Sequence, residues 1–404
     1  MFSDGKLSLW PAGSGLKEIV GDEEDVVALN AYVLDAFDQE VEETTLRTVA
    51  SDARASALFA SAASNSLDLK CYDVVHLGTE GIQACCARLE AELLALGVEF
   101  LTSTICIDVD KFGPLFVVDV KTSRGRTDKV YCDRVVFATG KASGLAVRRM
   151  LSGLGVEWDY NAIELGVRIE THREAIAALS SCHLDAKIKL ALPNNVEVRS
   201  FCVCDGGYLV SCYYDAFVEG EERICTVSGF AFHGKRSNNG NFGILVRKQL
   251  PRPIDPIRVQ LGIVQAVNRA SGRGGTVVQR LEDFRRGVQT TQEALDLNSV
   301  RSTLSPVTPT DLRWLLPDYI VNGISAYLAR VAEIAPGIAA PDTLLHAPVW
   351  EMCTDRIKIS KNMETSVPGL YVVGDACGWA RGIVQAASTG VIAGRHLAAN
   401  VTQI

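Results

Sequence analysis

Apolar residues along the chain change their spacing several times, and the changes divide it. Between residues 24 and 40, Val26, Val27, Leu29, Ala31, Val33, Leu34 and Phe37 recur so as to share one helix face. A second helix is predicted within 46–63. From Cys71 a more regular α/β pattern begins: a short strand at 72–77, then Gly78-Thr79 leading into a helix through Leu96. Gly97 suits the left-handed turn that stops such a helix. Residues 98–101 read as another strand. The segments 105–109, 116–120 and 129–132 predict an antiparallel meander, turning at Lys111-Phe112-Gly113-Pro114 and Ser123-Arg124-Gly125. Residues 134–138 then predict a central strand covered on both faces.

From about Glu164 to Val246 the pattern turns to extended segments, best at 167–170, 186–190, 196–204, 208–212 and 224–229. This stretch reads as a second, sheet-rich unit inserted into the first. Helices return at 256–269, 281–287 and 320–334, with a proline-bearing loop and helical turn across 305–317. A last strand, 370–373, runs through Gly374-Asp375 toward a helix from near Gly382 to near Asn400. The first 15 residues are glycine- and serine-rich, and no strand there leads into a glycine-rich turn.

With 404 residues, 48% of them hydrophobic, the chain can build a large core in two or three compact units. Its net charge of −8 supplies no broad attraction for a phosphate backbone, so no nucleic-acid partner is expected. No apolar run is long enough to cross a bilayer, so no membrane partner is expected either. The start, Met1-Phe2-Ser3-Asp4-Gly5-Lys6, lacks the basic-then-apolar order of a secretory signal. A cytoplasmic setting follows as an expectation, and the 12 cysteines read there as scattered thiols.

Two segments carry candidate chemistry. Arg134-Val135-Val136-Phe137-Ala138-Thr139-Gly140 is an apolar strand ending in small residues, which let the backbone approach a planar or phosphorylated ligand. A tight strand-to-helix turn would look the same. The second segment is stronger. Gly369-Leu370-Tyr371-Val372-Val373-Gly374-Asp375 delivers a carboxylate to the end of a strand, where open α/β folds place ligands. There it can accept hydrogen bonds from sugar-like hydroxyls, or serve as a plain turn or cap residue. Arg381-Gly382-Ile383-Val384-Gln385-Ala386 follows; unpaired amides at a helix start meet negative charge well. Ala386, Ala387, Gly390, Ala393 and Gly394 keep that helix slim.

Other polar residues resolve less. A strand would put Cys202 and Cys204 on one face, and Cys182 and Cys212 could join them around a metal. The Cys-x-Cys unit lacks the repeated pairing of a zinc site, so no metal is expected. His172 and His233 read as structural or substrate-orienting. Arg168, Arg236 and Arg381 could pair with carboxylates, and a surface or interdomain salt bridge accounts equally well for any one of them. No catalytic residue stands out.

Together the motifs resemble the uncharacterised, NAD/FAD-utilising family of FAD-dependent dehydrogenases, distant relatives of two-dinucleotide-fold flavoproteins. The resembling pieces span the chain: Phe2-Ser3-Asp4-Gly5-Lys6-Leu7, Gly78-Thr79, Ala138-Thr139-Gly140, Gly166-Val167-Arg168-Ile169-Glu170-Thr171-His172, Phe201-Cys202-Val203-Cys204-Asp205-Gly206-Gly207, Arg236-Ser237-Asn238-Asn239-Gly240-Asn241, Ala335-Pro336-Gly337, Pro341-Asp342-Thr343 and Gly374-Asp375. The resemblance implies an α/β fold, an incomplete two-dinucleotide-fold-type FAD domain with an inserted sheet-rich substrate domain. The FAD domain would take 1–160 and 346–404, and the substrate or cap domain 161–345.

Carried over residue by residue, Ser3, Asp4, Gly5 and Lys6 would line the cofactor cleft. Thr104 and Ile105 would pass the adenine end. Ala138, Thr139 and Gly140 would meet the ligand from one strand end. Gly374 and Asp375 would face the ribityl or pyrophosphate region. Gly382, Ile383 and Gln385 would approach the flavin ring and its polar edge. The implied cofactor is FAD and the implied substrate a small organic molecule. The family name allows NAD(P)H as electron donor, although the chain shows no second nucleotide fingerprint.

The chain departs from the pattern in two places. Asp205 stands where a proline is expected, and the Gly-x-Gly-x-x-Gly turn that binds the pyrophosphate is absent. The resemblance would place that turn just before Met1. Its loss would remove phosphate contacts and a central strand, leaving strand edges uncovered. Two expectations follow: a flavin-dependent dehydrogenase or reductase, or a noncatalytic flavoprotein-derived fragment with a structural or protein-binding role. A completing partner chain or rearranged N-terminus is compatible with either.

Overall fold

The computed structural model describes residues 5–13, 15–38, 53–183, 185–214, 223–231, 235–352 and 354–401. They form two compact units, one from 1–45, 75–161 and 353–404, the other from 46–74 and 162–352.

In the first unit, strands Val135–Phe137 and Leu370–Val372 pair in parallel, Leu370 opposite Val135 and Val372 opposite Phe137. Gly369 makes the entry possible. Its φ is +84°, and a Cβ there would lie 2.9 Å from Asp133 O. The predicted meander forms as Thr104–Phe112, Leu115–Thr122 and Thr127–Cys132, with Gly113 and Gly125 left-handed at its two turns. Lys111 Nζ ties it to Pro368 O at 2.7 Å. Phe116 of the meander packs with Phe137, Leu370, Val372 and the helix Gly144–Gly153. Burying one such phenylalanine contributes about 1.5–3 kcal/mol.

Two local expectations change here. Residues 98–101 form no strand; the helix Gly78–Ala95 ends at Leu96 and Gly97, and the chain continues irregularly with Leu96 81% exposed. The Val135 strand pairs, among the described residues, with the Leu370 strand alone, and Val136 is 42% exposed. It is therefore an edge strand here, not one covered on both faces. A further pair, Lys6–Ser8 with Val74–His76, packs Leu7 and Val75 against Val33 and Val384.

The second unit is organised by an eight-stranded sheet. Its order is Thr308–Pro309, Val277–Arg280, Leu344–Trp350, Ile163–His172, Asn239–Lys248, Val196–Asp205, Lys187–Leu192, Leu67–Lys70. All neighbours are antiparallel except the first two. Leu165, Val167 and Ile169 share a core with Phe242, Ile244 and Val246, and with helices Pro256–Ala270 and Asp318–Val331. The first of these helices starts where its sequence dictates. Asp255 accepts from the Ile257 and Arg258 amides, and Pro256 needs no partner for a missing N–H. The opposite face of the sheet lies against an antiparallel pair, Tyr208–Tyr214 and Ile224–Phe230, through Leu209, Val227, Leu245 and Val349.

Five strands of this sheet escaped the sequence pattern: the short Leu67–Lys70, Val277–Arg280 and Thr308–Pro309, and two longer ones. Asn239–Lys248 opens on Asn-Gly-Asn, which reads as a turn, yet it pairs along its whole length with Ile163–His172. Leu344–Trp350 contains Pro348, which a central ladder normally rejects; the pairing shifts register between His346 and Val349 to accommodate it. Among the described residues no helix is long and apolar enough to cross a membrane.

Candidate cofactor site

The two segments singled out for ligand contact lie side by side in the first unit. Because Val135–Phe137 and Leu370–Val372 run parallel and in register, their carboxyl ends coincide, and Val373 N donates to Phe137 O at 2.9 Å. Ala138-Thr139-Gly140 leaves one strand and Gly374-Asp375 the other, and the short turns beyond them, Lys141–Ser143 and Gly374–Cys377, touch.

Both exits depend on glycine. Gly140 has φ +70° and nothing within 4 Å of where a Cβ would stand, so its surface is open. Gly374 has φ +64°, and its nearest neighbour would be Ala386 Cβ at 3.7 Å. Ser143 Oγ bonds Thr139 Oγ1 at 2.6 Å and Gly140 O at 3.0 Å, fixing the first turn. Gly374 N donates to Thr389 Oγ1 at 2.7 Å, tying the second turn to helix Ile383–Val401. Thr354 Oγ1 donates to Asp375 O at 2.5 Å. The Asp375 side chain is half-buried beside these groups. Burial holds the neighbouring Cys377 thiol above its ordinary range, so it is a poor candidate for a nucleophile.

Behind the turns stands an ion pair that sequence inspection did not single out. Arg148 engages Asp355 through two bonds, one of them Nη2 to Oδ1 at 2.8 Å; the carboxylate is buried and the Arg148 side chain is 12% exposed. The guanidinium also lies 4.7 Å from the Trp158 ring centre and 5.4 Å from that of Tyr160. Asn161 Nδ2 reaches Thr354 O and Gly378 O at 3.3 and 3.2 Å. Gly378 is obligatory, since a Cβ there would fall 2.1 Å from Asp355 O.

The remaining site expectations scatter. Ser3 and Asp4 lie outside the described residues. Gly5, φ +67°, packs on Gly78 so tightly that a Cβ would fall 2.4 Å from Gly78 O, and Lys6 starts the adjoining strand. Thr104 and Ile105 open the meander; Thr104 Oγ1 bonds Thr102 O and Ile105 is 62% exposed. Gly382, φ +102°, precedes the last helix, and Ile383 packs into the Leu7 cluster. Gln385 is buried, and both hydrogens of its amide are used, on Ser8 O at 2.9 Å and Ala12 O at 3.0 Å.

The second unit holds a buried polar group of its own. Glu170 accepts from Thr303 Oγ1 at 2.6 Å, Thr303 N at 3.0 Å and Asn239 Nδ2 at 2.9 Å, and His346 Nε2 stands 3.2 Å away. Burial pushes its carboxyl up, but His346, Thr303 and Asn239 together hold it below the ordinary value of 4.5. His172 bonds Ser299 Oγ at 3.0 Å and lies 3.3 Å from Asp342, a surface arrangement. Arg236 reaches Asp205 at 3.4 Å, and His233 lies outside the described residues. Among the described residues no group of three or more His, Cys, Asp or Glu could hold a metal ion.

Residues 162–349, a little under half of the chain, match the family described as FAD-dependent protein, C-terminal domain-like. The matched stretch falls in the second unit. An uncharacterized protein of Clostridium beijerinckii (strain ATCC 51743 / NCIMB 8052) is 24% identical over 366 residues, covering 82% of this chain. The chain spans 63% of that relative's length. Among solved structures, a flavoprotein/dehydrogenase from Cytophaga hutchinsonii is 10% identical, covers 91% of this chain and 74% of its own, and gives a TM-score of 0.30. The p-nitrophenol 4-monooxygenase PnpA of Pseudomonas putida DLL-E4 is 12% identical, with 84% and 57% covered and a TM-score of 0.31. Likeness at that level does not by itself establish a shared fold.

Proposed function

We propose that the first unit holds FAD along the shared end of the Val135 and Leu370 strands, and that the chain is an FAD-dependent oxidoreductase, a dehydrogenase or reductase, acting on a small organic substrate. The observation that carries this reading is the parallel, in-register adjacency of the two strands, which puts the Gly140 and Gly374 turns together. The residues present fit the flavin and polyol part of such a cofactor. Gly140 offers open backbone, Gly374 stands in ordinary contact distance of the slim Ala386 face, and the Asp375 carboxylate can accept from ribityl hydroxyls. When bound, FAD would supply two-electron redox chemistry. The chain's own work is to bind and orient: Thr354 and Thr389 hold the Asp375 turn, and Ser143 holds the Thr139 turn.

The test is direct. Purified protein, before and after reconstitution with FAD, is read for flavin absorbance and its bleaching by dithionite, NADH or NADPH. About one flavin per chain is expected, and bleaching by a nicotinamide would identify the donor. A folded sample that stays colourless after reconstitution contradicts the reading.

A second reading, a noncatalytic flavoprotein-derived chain with a protein-binding role, is supported by one feature of the first unit. Leu94, Leu96, Phe100 and Leu101 are all exposed in one stretch. Such density of large apolar side chains on a surface commonly marks an interaction site.

A further inference from the structure

The sheet face beneath the Tyr208–Tyr214 and Ile224–Phe230 pair buries a cation with no anion beside it among the described residues. Arg168, one of the arginines that could have paired with a carboxylate, is 0% exposed and has none within salt-bridge distance among the described residues. Its Nε donates to Asn241 Oδ1 at 2.7 Å and its Nη2 to Cys202 O at 2.6 Å, while Nη2 also stands 3.4 Å from Cys204 Sγ. Arg168 Nη1 and Asn241 Nδ2 are buried with no hydrogen-bond partner among the described residues. Glu170, two residues along the same strand face, is already bonded to Thr303 and Asn239. A guanidinium does not shed its charge, and burying it unpaired is costly. The fold nonetheless makes room for it. A Cβ on Gly229 would fall 1.8 Å from Arg168 Nη2, and one on Gly207 would fall 2.5 Å from Cys204 Cβ.

The sulfurs beside it are brought together by irregular backbone. In a regular strand, Cα atoms two residues apart stand about 6.6 Å from each other, near the upper limit for a disulfide. Cys202 instead has φ +47°, and the pairing with Asn239–Lys248 shifts register between Phe201 and Cys204. The two Sγ atoms lie 3.9 Å apart. Cys204 is 1% exposed, whereas Cys202 is partly exposed.

We propose that Cys202 and Cys204 are a reversible dithiol–disulfide pair, with Arg168 as the positioning residue that faces the Cys204 sulfur. A nearby cation favours the thiolate, the reactive form of sulfur. The oxidant is a low-molecular-weight disulfide. The partly exposed Cys202 sulfur, having lost its proton, attacks it, forming a mixed disulfide and releasing one small thiol. The Cys204 thiolate then attacks the Cys202 sulfur; the protein S–S bond forms and the second small thiol leaves with a proton. Two protein thiols lose two hydrogens and two electrons, and the small disulfide becomes two thiols. The pair stands independently of whether the first unit binds FAD.

The experiment equilibrates the full chain in a series of reduced and oxidised glutathione mixtures, quenches with acid, alkylates, and weighs the peptide holding both cysteines. The wild type should lose two hydrogens and both alkylation sites with one midpoint. Cys204→Ser should stop at glutathione bound to Cys202. Arg168→Gln removes the cation that favours the reduced form, so the midpoint should move about tenfold toward more reducing mixtures, and Arg168→Lys should restore part of it. Should the arginine variants not fold, the wild type and Cys204→Ser decide alone. Full alkylation of both cysteines in every mixture overturns the proposal, as does a wild type that halts with glutathione on Cys202.

Discussion

The two units solve the problem of a strand edge in opposite ways. In the second, the Ile163 strand has a neighbour on each side, one face lies in an apolar core, and the other lies beneath a two-stranded cover. In the first, the Val135 strand has one neighbour among the described residues and shows Val136 to solvent. The contrast teaches where each unit's stability resides: in one large core with a sheet packed on both faces in one, and in smaller apolar clusters around a two-stranded pair, with the Arg148–Asp355 ion pair beside them, in the other.

The largest effect should come from breaking the second unit's core. Phe242→Ala is expected to cost about 3–5 kcal/mol, read as a lowered denaturant midpoint, because a strand paired on both sides within a packed core cannot collapse around the void. Next is the first unit's pair. Asp355→Ala takes the carboxylate from the Arg148 guanidinium and Arg148→Met takes the cation from the more deeply buried Asp355, so each should cost about 3 kcal/mol, and the double variant less than the sum of the two. Fully additive losses in the double variant would show that the pair matters through packing and not charge.

Acid should reveal Glu170. Its folded carboxyl titrates below the ordinary 4.5, so its contribution is fully present above that value and fades as pH falls through the lower folded one. Glu170→Gln should therefore lose stability at neutral pH and show a flatter decline on acidification. An unchanged acid limb would remove Glu170 from the account. The smallest effect belongs to the open edge: Val136→Thr should change stability by less than about 0.5 kcal/mol. A larger loss would mean that this strand is covered after all.

Legibility in the sequence divided by the range of the signal, not by unit. The meander and the helices at 256–270 and 318–331 could be read because their signals are local: period, turn glycines and an Asp-Pro start. The two apolar runs at 135 and 370 were readable as strands, and the structure brings their turns together, yet their pairing joins residues more than half the chain apart. Asn239–Lys248 and Leu344–Trp350 were missed because Asn-Gly and Pro signal turns locally, while the sheet tolerates them through long-range pairing and a register shift. Gln385 shows the same limit within the site. Its donors go to Ser8 and Ala12, 377 and 373 residues away, which no local pattern announces.

The most direct measurement of the central claim is an FAD titration of the wild type, Gly140→Val, Asp375→Ala and the double variant, each checked as folded by circular dichroism. Wild-type protein should take up FAD, each single change should weaken binding at least about tenfold, and the double change should abolish it. Undiminished FAD uptake by the folded double variant would contradict the claim that these two turns form one cofactor site.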